Sequence, residues 1–504
     1  MAARNGPTLV ASASAVLLLA AVGWWLAVDR QVPDFDSGKH LLSSWSYADS
    51  LRAWDLSEPF TAFTQYPPLL HVVGAIGTLV AGVHVAPAVL AVGLAFIPLL
   101  TLGLYRAGAL VGDRWTGALA VVFAIGTPMV VTEFRAYMLE PAMTALLALA
   151  AWLVLASDRF ERVGLAAGAG VAVGLGLLTK QTFAFFLAGL VAMVVLRGGW
   201  RNPRGLLAFV LPALLVAVPW YAVHWAELRA TGDWARSGNT TGTLWSAENL
   251  SWYAWSALNL HYMLPLTAFA AVGGAVSAWR FSRTRRSDDY TPELLSGLLV
   301  GWAALTFYLH LKSPYYALPL TVYAALLATG WIASLRPGAR RAATVALVAV
   351  AAVNFAVAAS WIGEPVRVSL PGASQDPGPV SARHVTLVSP SAWPGTLPPG
   401  EHGDVLGLMR RLEARGIEVI EFDPGTDLGY FNPTGLTAFA RIAGLSRPPA
   451  YDPAALRPPH DAFMGRQFIT PDLPPPCVEL GDGSGVFVTL GSPFDERRIC
   501  PRSE

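Results

Sequence analysis

The chain is built from long apolar runs separated by short polar stretches. Runs suited to membrane-crossing helices, which need about 20 apolar residues, fall near 8–28, 86–105, 115–131, 141–157, 163–179, 182–196, 205–223, 262–279, 293–309, 316–334 and 342–361. Arginine clusters stand between them: Arg106/Arg114, Arg159/Arg162, Arg197/Arg201/Arg204, Arg280/Arg283/Arg285/Arg286 and Arg336/Arg340/Arg341. Basic residues collect on the cytoplasmic side of membranes. With every cluster placed there, the chain crosses eleven times, starts inside and leaves everything after Trp361 outside. The stretch 67–84 is apolar too, but a crossing there would turn Arg106 and Arg114 outward. It is expected as a juxtamembrane or re-entrant helix packed against protein. The first run follows Arg4 and ends in Trp24-Trp25 and Asp29-Arg30, with no small-x-small cleavage site, so it is expected as a retained helix rather than a secretory leader.

This arrangement predicts a mainly α, polytopic membrane protein over residues 1–361, multi-pass in the plasma (inner) membrane with a cytoplasmic N-terminus. Nearly all polar residues then lie outside, in 29–85, 132–140, the turn at Lys180–Gln181, 224–261, 310–315 and the C-terminal segment. Over 362–504 charge and proline rise and apolar runs shorten, which predicts a small extracytoplasmic α/β domain. "VTLVSP" (385–390), "IEVIEFD" (417–423) and "GVFVTLG" (485–491) have strand character, and "DVLGLMRRLEARG" (404–416) has the period of an amphipathic helix stopped by Gly416.

Composition supports the membrane reading. Of 504 residues 54% are hydrophobic and 14% charged, with a mean hydropathy of +0.46, against about 25% charged in soluble domains. A net charge of +1 gives no sign of a nucleic-acid partner. The two cysteines, Cys477 and Cys500, exclude a disulfide-rich scaffold and a four-thiolate zinc site, and are candidates to pair on an oxidising outer side.

Three of the 35 basic residues are lysines: Lys39, Lys180 and Lys312. All three fall on the expected outer side at the ends of apolar segments, against the positive-inside trend. Lysines there either snorkel to lipid headgroups or converge as point-charge phosphate binders.

The outer segments carry a distinctive series of motifs. The first contains "PDFDSGKHLLSSWS" and "TQYPPLL", the second "TEFRAYMLEPAM", and then follow "LGLLTKQTFAFFLAG", "VPWYAVHW" and "HLKSPYYALPL". This succession, over roughly residues 8–335, resembles the C-type superfamily (GT-C fold) of polyprenyl-phosphate-sugar-dependent membrane glycosyltransferases. Within it, the succession resembles glycosyltransferase family 39, which includes protein O-mannosyltransferases and lipid A aminoarabinose transferases. Asp36 matches the leading acid of the family's first-loop Asp-Glu pair, but Ser37 follows it, so Asp34 is a rival for the base. Tyr66-Pro67-Pro68 stands where aminoarabinose transferases have Lys-Pro-Pro, and Lys39 is a candidate substitute for the missing lysine. Arg135 and Glu140 match the second-loop Arg and acid, Lys180 matches the Leu-Thr-Lys motif, and Lys312, Tyr316 and Pro319 match the Lys-x-x-x-Tyr-x-x-Pro pattern. The resemblance does not extend to the C-terminal segment.

The resemblance implies a sugar donor carried on a polyprenyl phosphate and an extracytoplasmic acceptor: lipid, protein or cell-envelope glycan. Phosphate leaves as a stabilised anion, so no general acid is needed, unlike a glycosidase with two carboxyl roles. One base for the acceptor hydroxyl and cations for the phosphate suffice, and direct attack inverts the anomeric carbon. Each residue also has a structural reading. Asp36 suits a helix N-cap and Glu140 a helix N-terminus before Pro141. His40, His71, His224, His261 and His310 suit interfacial polar positions, and Trp220, Tyr221 and Trp225 an aromatic belt. No cofactor is implied. A divalent metal held by Asp36, His40 and Glu140 is the disfavoured alternative. A transporter or flippase of lipid-linked sugars predicts charges near helix midpoints and paired half-repeats, whereas here the acids lie in loops; a non-catalytic scaffold is the third reading.

Overall fold

The computed structural model describes residues 2–29, 33–62, 66–237, 243–284, 286, 289–309, 312–369, 384–390, 419–420, 433–442, 444, 450–451, 477–480, 486–489 and 499–501. The N-terminal part runs α1 (Ala2–Val28), α2 (Phe35–Arg52), α3 (Glu58–Thr61), α4 (Leu69–Ala81), α5 (Val85–Val111), α6 (Arg114–Ile125), α7 (Pro128–Arg135) and α8 (Leu139–Ala156). It continues with α9 (Val163–Leu177), α10 (Phe183–Leu196), α11 (Pro203–Val223), α12 (Trp225–Ser237) and α13 (Ala247–Ser256). The membrane-type series closes with α14 (Met263–Thr284), α15 (Thr291–Phe307), α16 (Thr321–Gly330) and α17 (Pro337–Ser360).

Each expected apolar run contains a helix. Among the described residues six are long and apolar enough to cross a membrane: Asn5–Val28, Val85–Val111, Leu139–Ala156, Pro203–Val223, Pro314–Ser334 and Pro337–Ser360, with the bent pair α6–α7 a seventh. Helix α4 has 13 residues, about 20 Å at 1.5 Å per residue, short of the roughly 30 Å hydrocarbon core. The expected single run 115–131 is instead two helices meeting at 63°. The sequence explains the break: Pro128 opens α7 without an N–H to continue the ladder, and Thr127 Oγ1 donates back to Phe123 O at 3.0 Å. The expected helix 316–334 starts as a 3₁₀ segment, Pro314–Leu320, in which Pro319 interrupts α-helical bonding.

Helix α8 is enclosed by its neighbours, whereas α1, α11 and α17 keep exposed apolar side chains such as Leu9, Leu215 and Val345. That is the division between protein-facing and lipid-facing helices. Helix α5 packs along α8, α9 along α11, α10 along α15 and α2 along α4. The α9–α11 approach depends on Gly170, where an added Cβ would stand 2.1 Å from Phe209 O.

Beyond α17, β1 (Val366–Ser369) pairs antiparallel with β2 (His384–Val388). A second sheet has the order β4-β3-β5-β6-β7, formed by Ala450–Tyr451, Val419–Ile420, Cys477–Leu480, Val486–Thr489 and Ile499–Pro501. The strands expected near 385, 417 and 485 are present, and the helix expected over 404–416 lies outside the described residues. Cys477 is in β5 and Cys500 in β7, on opposite sides of β6. Helix α18 (Pro433–Ile442) packs on α2. There Arg441 bonds Asp49 and donates to Trp45 O at 3.2 Å.

Candidate active site

Four segments converge at one end of the bundle. Helix α2 begins the site. Asp34, not Asp36, is its N-cap, with Oδ1 accepting from Ser37 N at 2.8 Å. Capping Asp34 leaves Asp36 in the first turn, where its Oδ2 accepts from Tyr315 Oη at 3.0 Å. The two aspartates that sequence left as rivals therefore have different structural tasks. Asp34 keeps solvent access, yet protein packed around its carboxyl raises its pKa to about 6, with the Asp36 charge adding to the rise.

The α7–α8 connection is the second segment. Ser37 Oγ donates to Ala136 O and meets Met138 Sδ at 3.7 Å. Ser44 Oγ and Tyr137 Oη are 2.6 Å apart. Tyr137 has a left-handed backbone (φ 54°) and its hydroxyl lies where a Cβ on Gly74 would stand, 1.7 Å away. Only glycine at position 74 admits it. These contacts fix α2 against the turn that carries Glu140.

Lys180, in the α9–α10 turn, supplies the third element. Its Nζ is 2.6 Å from Glu140 Oε1, and both side chains are buried. The turn is held beside the first loop by Leu69 N donating to Leu178 O at 2.9 Å. Two tyrosines complete a cationic ladder: Lys39 and Lys180 each stand 5.5 Å from the Tyr66 ring centre, and Lys180 is 4.6 Å from that of Tyr316. These are cation–π distances. Burial lowers the pKa of Lys39, opposed by the charge of Asp36. Burial holds the Tyr66 phenol well above its ordinary range, so it stays neutral.

The structure thus brings together Asp34, Asp36, Lys39, Tyr66, Glu140, Lys180 and Tyr316. It places two expected site residues elsewhere. Arg135 stacks on Trp25, 3.5 Å from the ring centre, faces Trp361 at 5.5 Å, and donates to Ala358 O at 3.1 Å. It joins the ends of α1 and α17. Lys312 directs its Nζ to Leu305 O, Thr306 O and Leu309 O at 2.7, 3.0 and 2.8 Å. Three donors on three carbonyls make it a C-terminal cap for α15, next to the Tyr253 ring at 5.3 Å.

The histidines expected at the interface are inside the protein. His40 Nδ1 and His71 Nε2 are 3.0 Å apart in a buried pair. Burial first, then the charges of His71, Lys39 and Lys180, keep His40 neutral by lowering its pKa well below the ordinary value. His224 Nε2 meets Phe60 O at 2.9 Å and His261 Nε2 meets Pro314 O at 2.6 Å; His310 lies outside the described residues. Of the expected belt, Trp220 is buried, Tyr221 donates to Leu177 O at 2.8 Å and Trp225 is exposed.

Two residues of the site went unrecognised in the sequence. Tyr315 was overshadowed by Tyr316 in the motif. Glu133 is buried on α7, within electrostatic reach of Glu140, Asp34, Lys180 and Asp36. Its signal was an acid two residues before Arg135, visible only once the chain is known to bend at Pro128. Among the described residues, Glu133 Oε2 and Glu140 Oε2 are buried with no hydrogen-bond partner, and no three His, Cys, Asp or Glu side chains are grouped as metal ligands.

The helical membrane scaffold gathers acids, lysines and tyrosines at one end, and comparison shows what it is similar to. Residues 65–225 match the family described as dolichyl-phosphate-mannose-protein mannosyltransferase. The structure of ArnT from Cupriavidus metallidurans bound to undecaprenyl phosphate superposes with a TM-score of 0.52 at 18% identity, covering 70% of this chain and 65% of that one. The apo form of the same protein gives 0.50 at 18%, covering 72% and 66%. An oligosaccharyltransferase from Archaeoglobus fulgidus gives 0.44 at 14%, covering 69% and 55%. This chain spans about 65% of the length of the ArnT chain. No curated protein sequence matches. The chain shares its fold with ArnT.

Proposed function

We propose that the protein is an inverting membrane glycosyltransferase that moves a sugar from a polyprenyl phosphate to an acceptor outside the cytoplasm. The observation that carries this reading is the Asp36–Tyr315 bond beside the Lys39–Tyr66–Lys180–Tyr316 ladder. One carboxylate faces a row of cations and neutral phenols, which is the set that transfer from a lipid phosphate requires. The fold shared with ArnT and the family match over 65–225 support it.

In the proposed reaction the acceptor oxygen attacks the anomeric carbon, and the bond from that carbon to the phosphate oxygen breaks. The electron pair leaves with the lipid phosphate, and the acceptor proton goes to Asp36. Tyr315 orients the carboxylate, while Asp34 holds the start of α2. Lys39 and Lys180 stabilise the departing phosphate, and the neutral hydroxyls of Tyr66 and Tyr316 line its path. Glu140 sets the position of Lys180. Arg135 and Lys312 act at one remove, by fixing the helix ends around the site. The site faces the extracytoplasmic side of the plasma membrane, with the N-terminus cytoplasmic, residues 1–361 forming the catalytic unit and 362–504 an outer domain.

Full-length protein in lipid nanodiscs, given radiolabelled polyprenyl-phosphate sugar and a cell-envelope extract, tests this. Transfer of label with inversion is expected, and Asp36→Asn should reduce it by about 10² or more, as for loss of a general base. Full transfer by Asp36→Asn would remove Asp36 from this role. Passage of label across sealed vesicles without transfer would favour a flippase.

A further inference from the structure

Helix α2, which opens on Asp34 and Asp36, is held along three faces. Ser37 and Ser44 meet the α7–α8 connection. His40 and Tyr47 meet His71 of α4, the first at 3.0 Å between ring nitrogens and the second ring to ring at 5.9 Å. Trp45 and Asp49, one turn apart, belong to the third face, and α18 covers it from the far end of the chain. Asp36 and Asp49 lie about 20 Å apart along the helix at 1.5 Å per residue, so α18 grips the half of α2 remote from the base.

The sequence of α18 suits this grip. Ala438, Phe439 and Ala440 are buried, so two small side chains allow close approach while the ring fills the space beside them. Arg441 follows in the last turn. Its Nη2 bonds the Asp49 carboxylate and donates to Trp45 O at 3.2 Å, and its guanidinium stands 5.8 Å from the Trp45 ring centre. One nitrogen thus holds a side chain and a backbone oxygen one turn apart, which fixes the roll of α2 as well as its place. Asp49 carries the link onward. Its Oδ1 accepts from Arg52 Nη1 at 2.9 Å, and Arg52 Nη2 donates to Thr78 O of α4 at 3.3 Å. Helices α18, α2 and α4 are therefore joined through one carboxylate.

Magnitudes decide what this network does. The Arg441 and Asp49 side chains are 30% and 55% exposed, and exposed ion pairs contribute little to stability. Position is more sensitive: a displacement of about 1 Å in a reacting group can cost on the order of 10² in rate. The opposite wall of the site has a tie of its own, since Leu69 N donates to Leu178 O at 2.9 Å just beyond Tyr66. The α18 contact therefore bears on Asp36 rather than on the ladder of cations and phenols.

We propose that Arg441 is a positioning residue for sugar transfer: from the C-terminal segment it sets α2 through Asp49 and Trp45 O, and so sets where Asp36 meets the acceptor hydroxyl, a role that rests on Asp36 being the base. The test uses full-length protein in lipid nanodiscs. Three quantities are read: transfer rate at saturating radiolabelled polyprenyl-phosphate sugar with cell-envelope extract as acceptor, Kd for polyprenyl phosphate, and hydrogen exchange over residues 35–52 by mass spectrometry. Arg441→Gln should lower the saturated rate about tenfold, speed exchange in the second half of α2, and leave Kd and the melting temperature nearly unchanged. Arg441→Lys, which keeps a cation opposite Asp49, should recover most of the rate. Asp49→Asn/Arg441→Gln should be no slower than Asp49→Asn alone, because both changes break the same link. A folded Arg441→Gln protein with wild-type rate would overturn the proposal, and so would an equal loss of rate and donor affinity. Unchanged exchange in α2 would overturn the clamp itself, and this measurement needs no substrate. Absence of transfer by the wild type would instead overturn the glycosyltransferase reading, and this role with it.

Discussion

Lys180 Nζ lies 2.6 Å from Glu140 Oε1, and this buried ion pair ties the α9–α10 turn to the first turn of α8. Removing one partner of such a pair leaves a buried charge uncompensated, at about 3–5 kcal/mol. Lys180→Met is therefore expected to lower the melting temperature sharply. Lys180→Met/Glu140→Gln, which removes both charges, should recover much of the loss. A double variant as unstable as the single one would show that the pair is not the source.

Asp34 gives a pH signature. Its carboxyl has an ordinary pKa of 3.8 and a folded value of about 6, raised first by burial and then by Asp36. A raised folded pKa means that its stabilising contribution is complete below pH 3.8 and is lost as pH rises through 6. Asp34→Asn keeps a good N-cap and cannot ionise. Its melting temperature relative to wild type should thus rise between pH 4 and pH 7. A pH-independent difference between the two proteins would rule out this titration.

Tyr315→Phe removes the hydroxyl that holds Asp36. A hydrogen bond to a charged group contributes about 1.5–3 kcal/mol. The expected result is a fall in transfer kcat of roughly tenfold or more, with donor Kd nearly unchanged. A change confined to donor affinity would move Tyr315 from the base to the phosphate.

Lys39 and Lys312 separate two uses of one residue type. Lys39→Ala should weaken binding of polyprenyl phosphate several-fold, since its ammonium stands over the Tyr66 ring in the candidate site. Lys312→Ala exposes three carbonyls at the end of α15 and should lower stability by about 1–3 kcal/mol. Calorimetry on both variants, with and without lipid phosphate, distinguishes them.

These assignments show which features a sequence carries openly. The apolar runs are visible because membrane crossing demands length and composition alone. The bend at Pro128 was hidden, because hydropathy continues smoothly through Gly126 and Thr127. Asp36, Glu140 and Lys180 were legible as motif positions, and the structure brings them into one site. Arg135 and Lys312 were equally legible as cations, but their partners were not. Ala358 O is contributed by a helix more than 200 residues later, and backbone carbonyls leave no mark in a sequence. Glu133 shows the converse: an unremarkable acid that gains its neighbours only through tertiary packing.

The stacking of Arg135 between Trp25 and Trp361 also orders events during synthesis. Trp25 emerges from the ribosome first and Trp361 only after every helix of the bundle has been made. The guanidinium has no carbonyl at Ala358 to bond until then. The turn that bears Glu140 is thus completed by the last helix of the series, and a nascent chain halted before α17 holds an unfinished candidate site.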